Sequence, residues 1–302
     1  MSRLTQRLRR FLDPLNYLRF LEQAWLLRPA VSEKPVVFIL GLPRSGTTLV
    51  YQYLVHRLQV AYFTNGVGKY PHAALLMTWW ERKRYGEYRS DFQSQYGKMI
   101  GPVSPREAGG FWARFFDLEQ YTRFEQVSPA RIRILQRTIA GVQHLFGDVA
   151  FVNKNVKHML RLDALARIFP HALFLIVERE LPEVALSVLR GRYANLADPH
   201  AWWSVRPPDY PSLKDLSLPE QIAGQVRGLA RQMDADLAQI PATRVVRVAY
   251  SAFCQEPERL IATLRPLLGH PTERNPPVSA FPISHNAPKT PEEEALLRLL
   301  SS

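Results

Sequence analysis

A single cysteine, Cys254, occurs in the 302 residues of this chain. An intrachain disulfide and a cysteine zinc cluster are therefore excluded, and Cys254 reads as a small core residue rather than a reactive thiol. No apolar run approaches the ~18 residues of a membrane span. The first residues are basic but lead into neither a signal-peptide core nor a small-residue cleavage site, so the expected location is cytoplasmic. Acids are in deficit, with 27 Asp and Glu against 39 Lys and Arg, which leaves a formal charge of +12. Such a surplus attracts nucleic acid, an acidic membrane surface or a multiply charged small ligand, and does not choose among them.

The most informative absence is one lysine. The stretch VVFILGLPRSGTTLVYQYL, Val36 to Leu54, runs as an apolar strand, tightens through a Gly/Pro turn and opens into a helix. Against the phosphate-binding pattern G-x-x-x-x-G-K-[ST], Gly41, Gly46 and Thr48 are in register, but Thr47 stands where the lysine belongs. A glycine turn at a helix N-terminus still offers backbone N–H groups and a positive dipole to an anion, and Thr47 and Thr48 add hydroxyls. The cation of this loop is Arg44, expected to point into its mouth. Kinases and ATPases need the lysine, and a magnesium-holding acid on another strand. The strand at 149–154 ends in Asn-Lys-Asn, and the one at 172–178 ends in Glu178 followed at once by Arg179. A triphosphate reading is weak on these residues, and no metal is expected.

Strand patterns at 35–41, 60–64, 149–154, 172–178 and 243–250 alternate with helical patterns at about 47–58, 72–84, 105–120, 129–146, 158–168, 182–194, 219–239 and 256–268. That alternation predicts an α/β single domain over 35–270, with a central, mostly parallel five-stranded sheet flanked by helices. Before it, residues 1–34 carry leucines at helical spacing with arginines largely elsewhere, a pattern suited to an anionic bilayer or to packing on the domain as a lid. After it, 271–302 is a Pro-rich tail with a short terminal helix. The stretch 198–218 is a loop that carries Trp202 and Trp203, either folded over the body or awaiting an apolar ligand.

PRSGTT, Pro43 to Thr48, resembles the 5′-phosphosulfate loop of sulfotransferases that use 3′-phosphoadenosine 5′-phosphosulfate (PAPS), in the bacterial and Golgi-type branch with arginine in place of lysine. FPHALFLIVERELPEVALSVLRGR, from Phe169, is similar to the family's 3′-phosphate segment, a strand-end arginine, Arg179, with Ser187 eight positions on. Such a pair can converge on one phosphate at the sheet edge that holds the first loop. FVNKNVKHMLRLDALARIFP and VRVAYSAFCQEPERLIATLRPLLG extend the resemblance to about 35–270, while ELPEV and Asn155-Val156 depart from the commoner Asp-Pro and Ser/Thr-Pro. The resemblance implies a P-loop-like fold and transfer of a sulfuryl group from PAPS to a hydroxyl or amine, without a metal. It implies PAPS contacts from Arg44, Ser45, Gly46, Thr47, Thr48, Arg179 and Ser187, and a role for Lys154 at the transferred group or the acceptor. A base must take the acceptor's proton. Glu107, in GPVSPREAGGFW, and His72, in KYPHAALL, are the candidates; each can instead simply start a helix. The apolar N-terminal helix and the tryptophan-bearing loop point to a small-molecule or lipid-linked alcohol as acceptor, over a free polar sugar, with peripheral membrane contact through the N-terminal helix and no nucleic acid. A P-loop kinase or hydrolase and a basic nucleic-acid- or membrane-binding protein are the alternatives.

Overall fold

The computed structural model describes residues 22, 32–94, 99–283 and 287–301. The amphipathic helix expected over 1–34 lies outside them, except for Glu22 and residues 32–34. Four strands form the sheet: β1 (Val36–Leu40), β2 (Phe151–Lys154), β3 (Leu173–Glu178) and β4 (Val245–Ala249), in the order β2-β1-β3-β4 and all parallel. Parallel sheets are covered on both faces, which is why VVFIL and FVNK are buried at every position. The edge strand β4 is only half-buried.

Among the described residues, the eight longer helices are α1 (Thr47–Arg57), α2 (Ala74–Tyr85), α3 (Pro129–Leu145), α4 (Leu162–Ile168), α5 (Leu181–Asn195), α6 (Leu218–Leu237), α7 (Pro257–Leu267) and α8 (Pro291–Ser301). Helix α8 packs on α5 and α6, with buried Glu293 accepting from Arg190 Nε at 2.7 Å.

Two expectations are corrected. The fifth strand, 60–64, touches β2 through one isolated bridge, Ala61 with Phe151. The Ala61 and Val152 N–H groups donate to Ala150 and Ala61 carbonyls at 2.8 Å, but the Phe63 carbonyl accepts instead from Arg106 N at 2.7 Å. That diversion ends the ladder after one residue, so the sheet has four strands. The helix expected over 105–120 shrinks to Gly109–Trp112. A left-handed Ala108 (φ 52°) precedes two helix-weakening glycines, and the Asp117 carboxylate accepts the N–H groups of Glu119 (2.7 Å) and Gln120 (2.9 Å) in a competing turn.

The register Ile39↔Lys154, Leu40↔Ile176 and Glu178↔Ala249 brings the carboxyl ends of all four strands to one edge. The chain leaves β1 toward β2 and leaves β3 toward β4, so the sheet reverses direction between β1 and β3. Ligands of open α/β sheets sit in the crevice at such a point. Loop 41–46 after β1, Lys154 at the end of β2, Arg179 after β3 and Tyr250 after β4 therefore meet there.

Candidate active site

A cleft of about 550 Å³ opens at that edge, and its walls include Arg44, Gly46, Thr47, Thr48, Glu107, Lys154, Arg179 and Ser187. Side chains far apart in the sequence thus face one space. Ser45 is buried within the loop, where its hydroxyl has no hydrogen-bond partner among the described residues. His72 is not among the lining residues.

The loop is built for close approach. Gly46 is the N-cap of α1 at φ 95° and no side chain caps the helix, so by helical geometry its first N–H groups have no partner within the helix. A Cβ on Gly46 would enter the ring of Tyr250, which walls the cleft from the end of β4. Gly46→Ala is expected to cost ~2 kcal/mol or more, from left-handed strain and the clash with Tyr250 together; thermal unfolding checks this, and an unchanged midpoint would contradict it.

Arg44, itself left-handed at φ 72°, lines the cleft beside Gly46 and Thr47. Its Nε donates to Ser187 Oγ at 3.1 Å, across to the second anion segment. Arg179 Nη1 donates to the Arg44 carbonyl at 3.3 Å and Nη2 to Glu183 at 2.7 Å, with the guanidinium 5.0 Å from the Tyr250 ring centre. Burial and a hydrogen bond to Cys254 push the Tyr250 phenol up to about 12, so the ring stays neutral beneath the cation. The two anion segments are thus one interlocked cluster.

Facing it, Lys154 at the end of β2 pairs with Glu107. Lys157 also reaches the cleft while bonded to Glu119. Glu178, considered as a metal ligand, is outside the lining and pairs with Arg247.

Of the tryptophans, Trp203 alone among the described residues lines the cleft. Trp112 is fully buried, Trp202 packs edge-on against Tyr210, and Trp79 and Trp80 are exposed. The 198–218 loop is folded over the body. Trp203 lies against Gly191, and Gln225 Nε2 donates to the carbonyls of Trp203 (2.9 Å) and Val205 (2.8 Å). Arg192, buried among Gln221, Gln225 and Trp202 with its pKa drawn down by burial to about 10, supports that loop from α5.

Beneath Lys154 lies a buried network. His158 Nε2 donates to Asn153 Oδ1 at 2.9 Å, because Nδ1 accepts from Arg161 Nε at 3.1 Å. Burial, then the charges of Arg161 and Lys154, hold this imidazole well below the ordinary histidine range. The folded His158 stays neutral while an unfolded one takes a proton below about 6.5, so its contribution is present above that pH and is lost as the pH falls, by up to ~1.4 kcal/mol per unit. Glu22, which caps α2 through the N–H groups of Leu75 and Leu76, is raised by burial to about 7 and gives the opposite slope. The difference between wild type and His158→Gln isolates the histidine. Their stability gap is expected to narrow by ~1 kcal/mol between about pH 7.5 and 5.5; a constant gap in denaturant titrations would refute it.

Tyr250 and Lys157 were not singled out from the sequence. The position directly after a strand is the signal that would have found Tyr250, since it succeeds β4 as Arg179 succeeds β3.

A crevice that joins a glycine-turn anion loop to a strand-end arginine marks an anion-binding α/β protein. Residues 35–274 match the model described as "Sulfotransferase family", and the chain belongs to that family. It is 25% identical over 252 residues to the omega-hydroxy-beta-dihydromenaquinone-9 sulfotransferase Stf3 of Mycobacterium bovis and equally to that of Mycobacterium tuberculosis, covering 78% of this chain. The chain spans 63% of the length of these curated relatives. In fold it is similar to sulfotransferase STF9 from Mycobacterium avium (TM-score 0.54, 15% identity, 93% of this chain and 71% of the other). It is also similar to STF1 from Mycobacterium tuberculosis (TM-score 0.51, 15% identity, 93% and 75%). No helix among the described residues is long and apolar enough to cross a membrane.

Proposed function

We propose that this protein transfers a sulfuryl group from PAPS to the hydroxyl of an apolar, lipid-linked alcohol. The observation that carries the reading is the convergence, in one cleft, of the Arg44–Ser187–Arg179 cluster with the Glu107–Lys154 pair. The fit to a bisphosphonucleotide rests on residues. The uncapped start of α1 and the unpartnered Ser45 hydroxyl suit the 5′-phosphosulfate, while Arg179 and Ser187 suit the 3′-phosphate. Arg44, bonded between the two segments, can serve either phosphate.

In this mechanism the acceptor oxygen bonds to sulfur as the bond from sulfur to the 5′-phosphate oxygen breaks, and adenosine 3′,5′-bisphosphate leaves. Glu107 takes the acceptor's proton. Lys154, fixed beside it, and Arg44 with the α1 N–H groups stabilise charge developing on the transferred group and the leaving phosphate. Glu107 is preferred to His72 because it lines the cleft. Trp203, Leu49 and Val156 supply apolar wall, and the mycobacterial relatives' names specify a hydroxylated menaquinone; both favour a lipid alcohol over a free sugar. Such a protein works at the inner face of the membrane, held there by its basic surface and N-terminal segment.

Calorimetric titration tests the donor. Adenosine 3′,5′-bisphosphate is expected to bind without metal and more tightly than ATP with Mg²⁺; the reverse order would overturn the reading. Transfer of radiolabel from PAPS to geranylgeraniol in detergent micelles, against glucose as the polar control, then tests the acceptor class.

A further inference from the structure

Glu107 lies in an irregular segment, between Pro105 and the left-handed Ala108. Local propensity gives such a segment no fixed bearing. Three consecutive residues from the end of β2 grip it. Asn153 Nδ2 donates to the Arg106 carbonyl at 3.1 Å, Lys154 Nζ pairs with the Glu107 carboxylate, and Asn155 Nδ2 donates to the Glu107 carbonyl at 3.1 Å. Alternation along an extended chain places 153 and 155 on one side and Lys154 on the other, so backbone and carboxylate are held from different directions. The Asn153 Oδ1 also accepts from Trp112 Nε1 at 3.0 Å and His158 Nε2 at 2.9 Å. One carboxamide thereby ties both ends of segment 106–112, while Arg106 N is anchored to the Phe63 carbonyl.

Both asparagines are almost wholly buried, at 0% and 2% exposure, and neither lines the cleft. Burying a carboxamide is costly unless it is satisfied, and an apolar residue would fill the same space at less cost. Their placement is explained by what they hold. We infer that Asn153 and Asn155 are positioning residues that set the bearing of the Glu107 carboxylate against Lys154. This rests on the reading of Glu107 as the base. A base must be kept within a fraction of an ångström of its productive position, and a loop residue needs such support.

Asn155→Ser tests it. Asn155 Oδ1 caps the adjoining turn by accepting from Lys157 N at 2.9 Å. Serine retains an oxygen suited to that cap and removes the donor to the Glu107 carbonyl. The readout is inorganic sulfate released from radiolabelled PAPS in a single turnover, with water standing in for the acceptor. At saturating PAPS the variant is expected to be about tenfold slower, with its bisphosphate Kd unchanged within about twofold. In a Glu107→Gln background the same substitution should change the rate less than about twofold, since no carboxylate remains to be positioned. A wild-type rate for Asn155→Ser, equal losses in both backgrounds, or a collapse of bisphosphate affinity would each overturn the proposal. Glu107→Gln releasing sulfate at the wild-type rate would instead remove the base reading and this proposal together, so the two failures are told apart.

Discussion

Arg179→Ala is expected to raise the Kd for adenosine 3′,5′-bisphosphate by ~100-fold or more, equivalent to ~3 kcal/mol and in the range of a hydrogen-bonded ion pair lost from a partly buried site. The residue comes directly after the last position of β3, beneath the crevice where the sheet reverses. Contacts with the Arg44 carbonyl, Glu183 and the Tyr250 ring hold its fork. In the proposed function, losing it removes a 3′-phosphate ligand; it also removes a hydrogen bond to the first anion loop. Arg179→Lys keeps the charge but not the planar fork, so it should recover only part of the affinity. Adenosine 5′-monophosphate, which lacks the 3′-phosphate, should lose much less than the bisphosphate does. Equal losses for both nucleotides in calorimetry would place Arg179 at the 5′ end instead, and wild-type affinity in the alanine variant would remove it from the site.

Glu107→Gln is expected to slow sulfuryl transfer by ~100-fold or more while leaving bisphosphate affinity intact, the signature of a group used only in the chemical step. The amide is nearly isosteric, so the clamp from Asn153 and Asn155 to the 106 and 107 carbonyls survives. The carboxylate, the base of the proposed mechanism, and its ion pair with Lys154 are lost. His72→Gln provides the comparison, since that side chain is outside the lining of the cleft. Were His72→Gln inactive and Glu107→Gln active, the base would be reassigned.

Both predictions concern residues legible in the sequence, and their neighbours explain what was not legible. Arg44 and Arg179 stand out because each comes after an apolar strand at an edge where side chains meet ligands. The bond from Arg44 to Ser187 was hidden, because 143 residues separate them and only the β1–β3 pairing brings them together. Trp202 and Trp203 were equally ambiguous as a pair. The structure separates them, one packed on Tyr210 and the other in the cleft wall, according to how Gln225 and Gly191 hold the loop.

The expected fifth strand is ended by a contact from outside it. Residues 60–64 have a strand's composition and 105–120 an amphipathic pattern, yet the Arg106 N–H takes the Phe63 carbonyl that would have continued the ladder. That competition is tertiary, and propensity does not contain it.

The sequence by itself determined the strand-loop-helix unit at Val36–Leu54, the layered α/β class, the arginines that come after β1 and β3, and Glu107 as a candidate base. These are local matters, since side-chain period, turn chemistry and the residue after a strand are written within a few positions of one another. The tertiary structure alone decided which of those groups share a cleft, that Arg44 is bonded to Ser187, that Lys154 faces Glu107, and that two buried asparagines hold the 106 and 107 carbonyls. Those are distances across the fold, set by strand order and register rather than by any residue's own preference.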